Sequence, residues 1–329
     1  MDLTSKYLGL ALKNPILCGA CPLGTNLDTI RHLEDSGCAG LVLPSLFEEE
    51  IMAAVQTQME IESAGAGNAE ADSYLPSPDG YHVGPDQYLE LITKAKAAVT
   101  MPIIGSLNGT TPGGWTSYAK KIQEAGADAI ELNIYFLPFE ISETGDQVEQ
   151  RAIDIVTSVK QSVSIPVSVK LSPFYSSIPN VAKKLVAAGA DGLVIFNRFY
   201  QPDIDIEALD VIPNLRLSTA DELRLRLRWL AVLSAQLDTS LGCTGGAHNA
   251  VDVLKAVMAG AHGVQLVSAL LIHGPEHIGR LLEAIEFWLT EHEYESLAQM
   301  QGSMNLAKVP NPKNFSRANY MRMLDSWER

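Results

Sequence analysis

Four segments of this chain echo one another: DSGCAGLVLPS (35–45), EAGADAIELNI (124–134), AAGADGLVIFN (187–197) and MAGAHGVQLVS (258–268). Each joins the end of a helical hydrophobic pattern to a run of apolar residues. The glycines at the junctions, Gly37, Gly126, Gly189 and Gly260, suit the left-handed position that stops a helix. The apolar runs that follow lack a solvent-facing alternation and suit parallel strands covered on both faces.

Between these segments lie four further apolar runs: PILCGA (15–20), PIIGSLN (102–108), PVSVKL (166–171) and DTSLGCTGG (238–246). Three start with proline, which a strand tolerates at its first residue. Interleaved, the two sets predict eight strands. Helical periodicity fills the gaps, over Leu27–Ser36, Tyr88–Val99, Thr116–Ala125, Val148–Val163, Val181–Ala188, Ala220–Gln236, Ala250–Ala259 and Glu276–Glu291. Eight successive β–α units predict an α/β fold, a single (β/α)8 TIM barrel. A doubly wound sheet ranks second, because no glycine-rich dinucleotide loop follows the first strand. The expected organisation is a barrel over residues 1–294 and a polar tail over 295–329 that packs on the barrel or a partner. Within the barrel, residues 1–14 form a hairpin closing the bottom, and 48–87 form a lid or insertion after strand two.

A chain of 329 residues, 47 % of them hydrophobic, has enough material for one such barrel. Its formal net charge of −15 argues against nucleic-acid or membrane-surface partners. The opening residues lack a signal-peptide pattern and no apolar run reaches spanning length, so a cytoplasmic location is expected. The four cysteines, Cys18, Cys21, Cys38 and Cys243, offer no second pair at zinc spacing. No metal site is expected, and Cys18 and Cys21 are read as reduced thiols.

Barrel ligands bind at the carboxyl ends of the strands. Those ends fall at Ala20-Cys21-Pro22, Pro44-Ser45, Asn108-Gly109, Asn133, Lys170, Asn197-Arg198, Thr244-Gly245-Gly246 and Ser268. The Gly245-Gly246 turn precedes a helix and, with Ser268, suits a phosphate, since glycines let backbone N–H groups approach an anion. A plain tight turn is the alternative. Lys170 interrupts an apolar strand and needs an anionic partner or a solvated cavity. Arg198 suits a clamp on a carboxylate or phosphate, with a surface ion pair to Asp203 or Asp205 as the alternative.

With these residues in place, the chain resembles the dihydroorotate dehydrogenase family, chiefly its soluble class 1 branch, from Leu3 to about residue 302. YLGLALKNPILCGACP (7–22), ELN (131–133), VKLSPF (169–174) and GCTGGAHNAVDVLKAVMAGAHGVQLVSAL (242–270) carry the likeness. The resemblance implies FMN as cofactor. Ala20 and Cys21 would touch the flavin, Asn108, Asn133 and Asn197 would border it, Lys170 would meet its ring edge, and Gly245, Gly246 and Ser268 would hold its phosphate.

The substrate half of the pattern differs. The family's cysteine or serine base falls on Phe136, its following Pro-Asn on Leu137-Pro138, its strand-two lysine on Pro44, and its strand-six asparagine-serine pair on Asn197-Arg198. A phenylalanine ring carries no proton for base catalysis. Tyr135, Tyr81, His82 and Tyr200 are the available proton carriers; Tyr135 and Arg198 are taken as the catalytic candidates. The leading expectation is an FMN-dependent oxidoreductase passing hydride between flavin and a small anionic substrate. The alternatives are a dihydroorotate dehydrogenase of pyrimidine biosynthesis with a relocated base, and a non-catalytic flavin-binding or electron-relay subunit. Expected partners are the substrate and an electron-acceptor protein or small oxidant; the reading also admits a homo-oligomer.

Overall fold

The computed structural model describes residues 1–48, 84–109, 112–134, 136–198, 201–315 and 320. Eight parallel strands close into a barrel. In order around it are β3 (Ile16–Cys18), β4 (Leu41–Phe47), β5 (Ile103–Asn108), β6 (Ala129–Asn133), β7 (Val167–Lys170), β8 (Gly192–Ile195), β11 (Ser240–Thr244) and β12 (Gly263–Leu266), which pairs back to β3. A short antiparallel hairpin, β9 (Asp203–Asp205) and β10 (Asp210–Ile212), interrupts the series after β8. The predicted (β/α)8 architecture is therefore the observed one.

The helices between strands are α1 (Leu27–Asp35), α2 (Pro85–Ala98), α3 (Pro112–Glu124), α4 (Gly145–Ser162), α5 (Ile178–Ala187), α6 (Leu223–Ser234) and α7 (Ala250–Ala259). After β12 come the short α8 (Ser268–His273) and then α9 (His277–Glu291) and α10 (Leu297–Met300). The junction glycines Gly37, Gly126, Gly189 and Gly260 all have φ between 99° and 121°, so each stops its helix in the conformation that a Cβ disfavours. Several helices begin earlier than periodicity predicts. α2 and α3 start at Pro85 and Pro112, in a first turn where proline's missing N–H costs nothing and apolar spacing carries no signal. α4 starts under a capping box between Thr144 and Gln147.

The residue two places after three of the junction glycines does a repeated job. Asp128 accepts from the Ile103 amide at 2.7 Å and Asp191 from the Val167 amide at 2.7 Å. His262 Nδ1 accepts from the Leu241 amide at 3.1 Å. Each ties the start of one strand to the start of the strand one unit earlier. Lys96 and Lys160 neutralise the two aspartates.

The N-terminal hairpin, β1 (Ser5–Tyr7) and β2 (Leu10–Leu12), plugs the barrel floor. Tyr7, Leu8 and Leu12 pack with Leu17, Ala39, Val42, Ile104 and Ala129 in one buried cluster. Ser5 Oγ donates to the His262 carbonyl, and the Leu8 amide donates to Ser240 Oγ. The floor is thereby closed at the amino ends of the strands. Past α10, the Met304 and Leu306 amides donate to the Met258 and Ala231 carbonyls. Among the described residues, no helix is long and apolar enough to cross a membrane.

Candidate active site

A cavity of about 530 Å³ opens at the carboxyl ends of the strands. Ala20, Cys21, Asn133, Lys170, Asn197, Arg198, Gly245, Gly246 and Ser268 all line it. Asn108 lines an adjoining cavity of about 970 Å³, together with Arg216 and Arg226. The two share Phe47, Asn133, Asn197, Arg198 and Leu215. Tyr135, Tyr81, His82 and Tyr200 lie outside the described residues, as does most of the expected lid.

One end of the first cavity is built from backbone and hydroxyl donors. Gly245 and Gly246 have φ of 86° and 90°. A Cβ at Gly246 would sit 2.4 Å from the Leu223 amide nitrogen, so only glycine lets this turn approach α6. Ser268 starts α8. Between them stands Ser218, which the sequence reading missed. Its amide and hydroxyl both donate to Ser268 Oγ at 2.9 Å, and its oxygen accepts from the Gly246 amide at 3.3 Å. Because Ser268 Oγ accepts twice, its own proton is left to donate. The signal in the sequence was the capping box of Thr219 and Glu222 just after Ser218.

The opposite wall is ionic. Lys170 Nζ lies 2.8 Å from Glu131 Oε1, and Glu131 is 0 % exposed. Gln265 Nε2 donates to the other carboxylate oxygen at 2.6 Å. Gln265 Oε1 is buried without a hydrogen-bond partner among the described residues, on a side chain that lines the cavity. The lysine thus has both the anionic partner and the cavity that its place in an apolar strand demanded. Glu131 was also missed, although it sits two residues before Asn133, the spacing that puts both on one face of β6. An orphaned amide oxygen at one end, and N–H and O–H donors at the other, fit an elongated ligand with a hydrogen-bonding ring and a phosphate, as FMN has.

Arg198 makes neither of the ion pairs, with Asp203 or Asp205, that were the alternative to a substrate clamp. Its Nη2 lies 3.3 Å from Glu222 Oε1, and its Nη1 donates to the Arg216 carbonyl. Arg226 braces the same region from beneath: it is buried, its Nε donates to the Thr244 carbonyl at 3.1 Å, and its Nη1 donates to the Glu222 carbonyl at 2.9 Å. Phe136 is half-buried, and the Arg151 guanidinium lies 3.8 Å from its ring centre. Among the described residues, the lining of neither cavity includes Phe136. The Phe136 ring is held by a cation–π contact with Arg151.

A family model for dihydroorotate dehydrogenase matches residues 80–289. Similar over nearly their whole lengths are two proteins named dihydroorotate dehydrogenase B (NAD(+)), catalytic subunit. That of Thermoplasma acidophilum is 28 % identical over 309 residues, covering 92 % of this chain and 98 % of that protein. That of Thermoplasma volcanium is 29 % identical over 309 residues, with the same coverage of 92 % and 98 %. A Pyrococcus abyssi protein of the same name is 27 % identical over 302 residues, covering 89 % and 96 %. The chain belongs to the dihydroorotate dehydrogenase family, whose enzymes are flavin-dependent oxidoreductases acting on CH–CH groups.

Proposed function

We propose that this protein holds FMN in the 530 Å³ cavity and oxidises or reduces a small anionic substrate held in the adjoining one, and that this substrate is not dihydroorotate. The observation that carries the reading is the single cavity with Lys170 and Gln265 in its wall and the Ser218–Gly246–Ser268 cradle at its end. Gly245, Gly246, Ser218 and Ser268 would hold the phosphate. Ala20 and Cys21 would lie against the ring, and Asn133, Asn197 and Gln265 would supply amide hydrogen bonds to it. FMN supplies hydride exchange with a CH–CH bond when bound. The charge of Lys170 favours added electron density at the ring edge, and Glu131 moderates that charge.

On the substrate side, Arg198 keeps its fork at the seam of the two cavities, braced by Glu222 and the Arg216 carbonyl, and orients a carboxylate. Asn108 and Asn197 add amide donors. With Phe136 unable to move a proton, a phenol takes that role, and Tyr135, its neighbour in the chain, is the proposed carrier. The relatives' designation as catalytic subunits supports an electron-acceptor partner subunit, with a small oxidant as the other source.

The test is stopped-flow spectroscopy of the FMN-loaded protein. Dihydroorotate is expected to leave the oxidised spectrum unchanged, whereas a screen of small carboxylic acids bearing a CH–CH bond next to a carbonyl is expected to give saturable bleaching. Rapid, saturable bleaching by dihydroorotate would make the protein a dihydroorotate dehydrogenase with a relocated base. A protein that stays colourless after incubation with FMN would end the flavin reading.

A further inference from the structure

The four cysteines are free and buried, but their surroundings differ. Cys38 donates to the Gly40 carbonyl at 3.1 Å, and burial pushes its thiol up to about 11. Burial pushes Cys243 up to about 12. Both are inert by the ordinary logic of buried thiols. Cys18 closes β3 and is 0 % exposed, while Cys21, in the turn after it, is 7 % exposed and lines the cavity beside Ala20 and Lys170. The two sulfurs lie 3.7 Å apart. The Cys18 thiol, as hydrogen-bond donor, holds Cys21 below the ordinary thiol range; the Leu23 amide and the Lys170 charge act the same way, against burial.

We propose that Cys18 and Cys21 are a peroxide-oxidisable dithiol in the cavity wall, with Cys21 the attacking sulfur and Cys18 the resolving one. The geometry assigns the roles: only Cys21 faces the cavity, and only Cys18 stands behind it within reach. In the first step the Cys21 thiolate attacks one oxygen of hydrogen peroxide. The O–O bond breaks, hydroxide leaves, and Cys21 becomes a sulfenic acid. In the second step the Cys18 sulfur attacks Cys21 Sγ, giving up its proton to the departing hydroxyl, and water leaves as the S–S bond forms. Two thiols and one peroxide become one disulfide and two waters. The sulfurs must close from 3.7 Å to about 2.0 Å as the bond forms. In a reducing cell the pair rests as two thiols, so oxidation marks a change of conditions. It also replaces a thiolate-forming side chain in the cavity wall with an uncharged one.

The test uses the full chain, reduced, desalted and exposed to one equivalent of hydrogen peroxide, then alkylated in denaturant, digested and weighed. The expected product carries alkyl groups on Cys38 and Cys243, and its Cys18–Cys21 peptide is lighter by two hydrogens, a loss reversed by dithiothreitol. In Cys18→Ser, Cys21 should stop at the sulfenic acid and be trapped by dimedone at least tenfold more than in the unmodified chain. In Cys21→Ser, oxidation at Cys18 should fall at least tenfold. The proposal is overturned if the unmodified chain yields no lightened peptide. It is equally overturned if Cys38 or Cys243 oxidises as fast as Cys21, or if dimedone traps Cys21 equally with and without Cys18. These readouts are masses at named cysteines rather than activity, so they do not depend on which substrate the protein acts on.

Discussion

Lys170 and Glu131 face each other across neighbouring strands, 2.8 Å apart, with the carboxylate wholly removed from solvent. A buried pair of this kind contributes little net stability compared with a well-packed apolar pair, but removing one partner strands the other charge. Lys170→Met should therefore cost about 3–5 kcal/mol of unfolding free energy, and Lys170→Met with Glu131→Gln should cost clearly less. Urea unfolding of the singles and the double closes the cycle. Additive losses would show that water reaches Glu131 once the lysine is gone.

Gly246→Ala should be worse than Gly245→Ala. At Gly246 the new Cβ meets the Leu223 backbone at 2.4 Å, whereas at Gly245 it meets the end of the Arg226 side chain at 2.9 Å. A left-handed non-glycine residue alone costs roughly 1–3 kcal/mol, and the backbone collision adds to that. Thermal melts read the stability difference. Fluorescence titration with FMN should show at least a tenfold weakening for Gly246→Ala.

Phe136→Cys alone should not confer dihydroorotate oxidation. General-base catalysis supplies only about 10²–10⁴-fold even when well positioned, and the sequence resemblance implies that Pro44, Pro138 and Arg198 also stand where the family has other residues. The Phe136 ring is moreover held against Arg151 and is absent from the lining of both cavities among the described residues. Arg198→Ala should weaken binding of the actual substrate by about 1.5–3 kcal/mol, or roughly 10- to 150-fold. Stopped-flow titration reads both; bleaching by dihydroorotate in Phe136→Cys would show that the base position is the whole difference.

His262 should make stability fall on acidification. Burial holds its pKa below the ordinary imidazole value, opposed by the charge of Asp238, and its Nδ1 must stay unprotonated to accept from Leu241. A depressed folded pKa means the unfolded chain takes the proton first. The contribution is present above about 6.5 and is lost as pH falls through the lower folded value. His262→Asn keeps an acceptor without titrating, so its melting temperature should change less between pH 7 and 5 than that of the unmodified chain. Parallel curves would remove His262 as the cause.

The barrel was legible because its signals are local. A glycine stop, an apolar run and the next amphipathic stretch lie within one unit of chain, and the strand ends then place Ala20, Lys170 and Gly245 on one rim. Residues whose meaning depends on closure were not legible. Glu131 and Gln265 are 134 positions apart and meet only across the closed barrel's interior. Ser218 reaches the cradle from the long connection between β8 and α6, where no periodicity marks it. Arg198 showed its type but not its partner, since Glu222 arrives from the far end of that same connection.

The acceptors Asp128, Asp191 and His262 all act at the barrel floor, on the side away from the cavities. Register between neighbouring units is thereby fixed by residues that never meet a ligand. Loops on the other rim can therefore differ in length or side chain without disturbing strand pairing. Scaffold and site are accordingly separated by depth: the ties that set the strands' register lie at one end of the barrel, and the residues that face the cavities lie at the other.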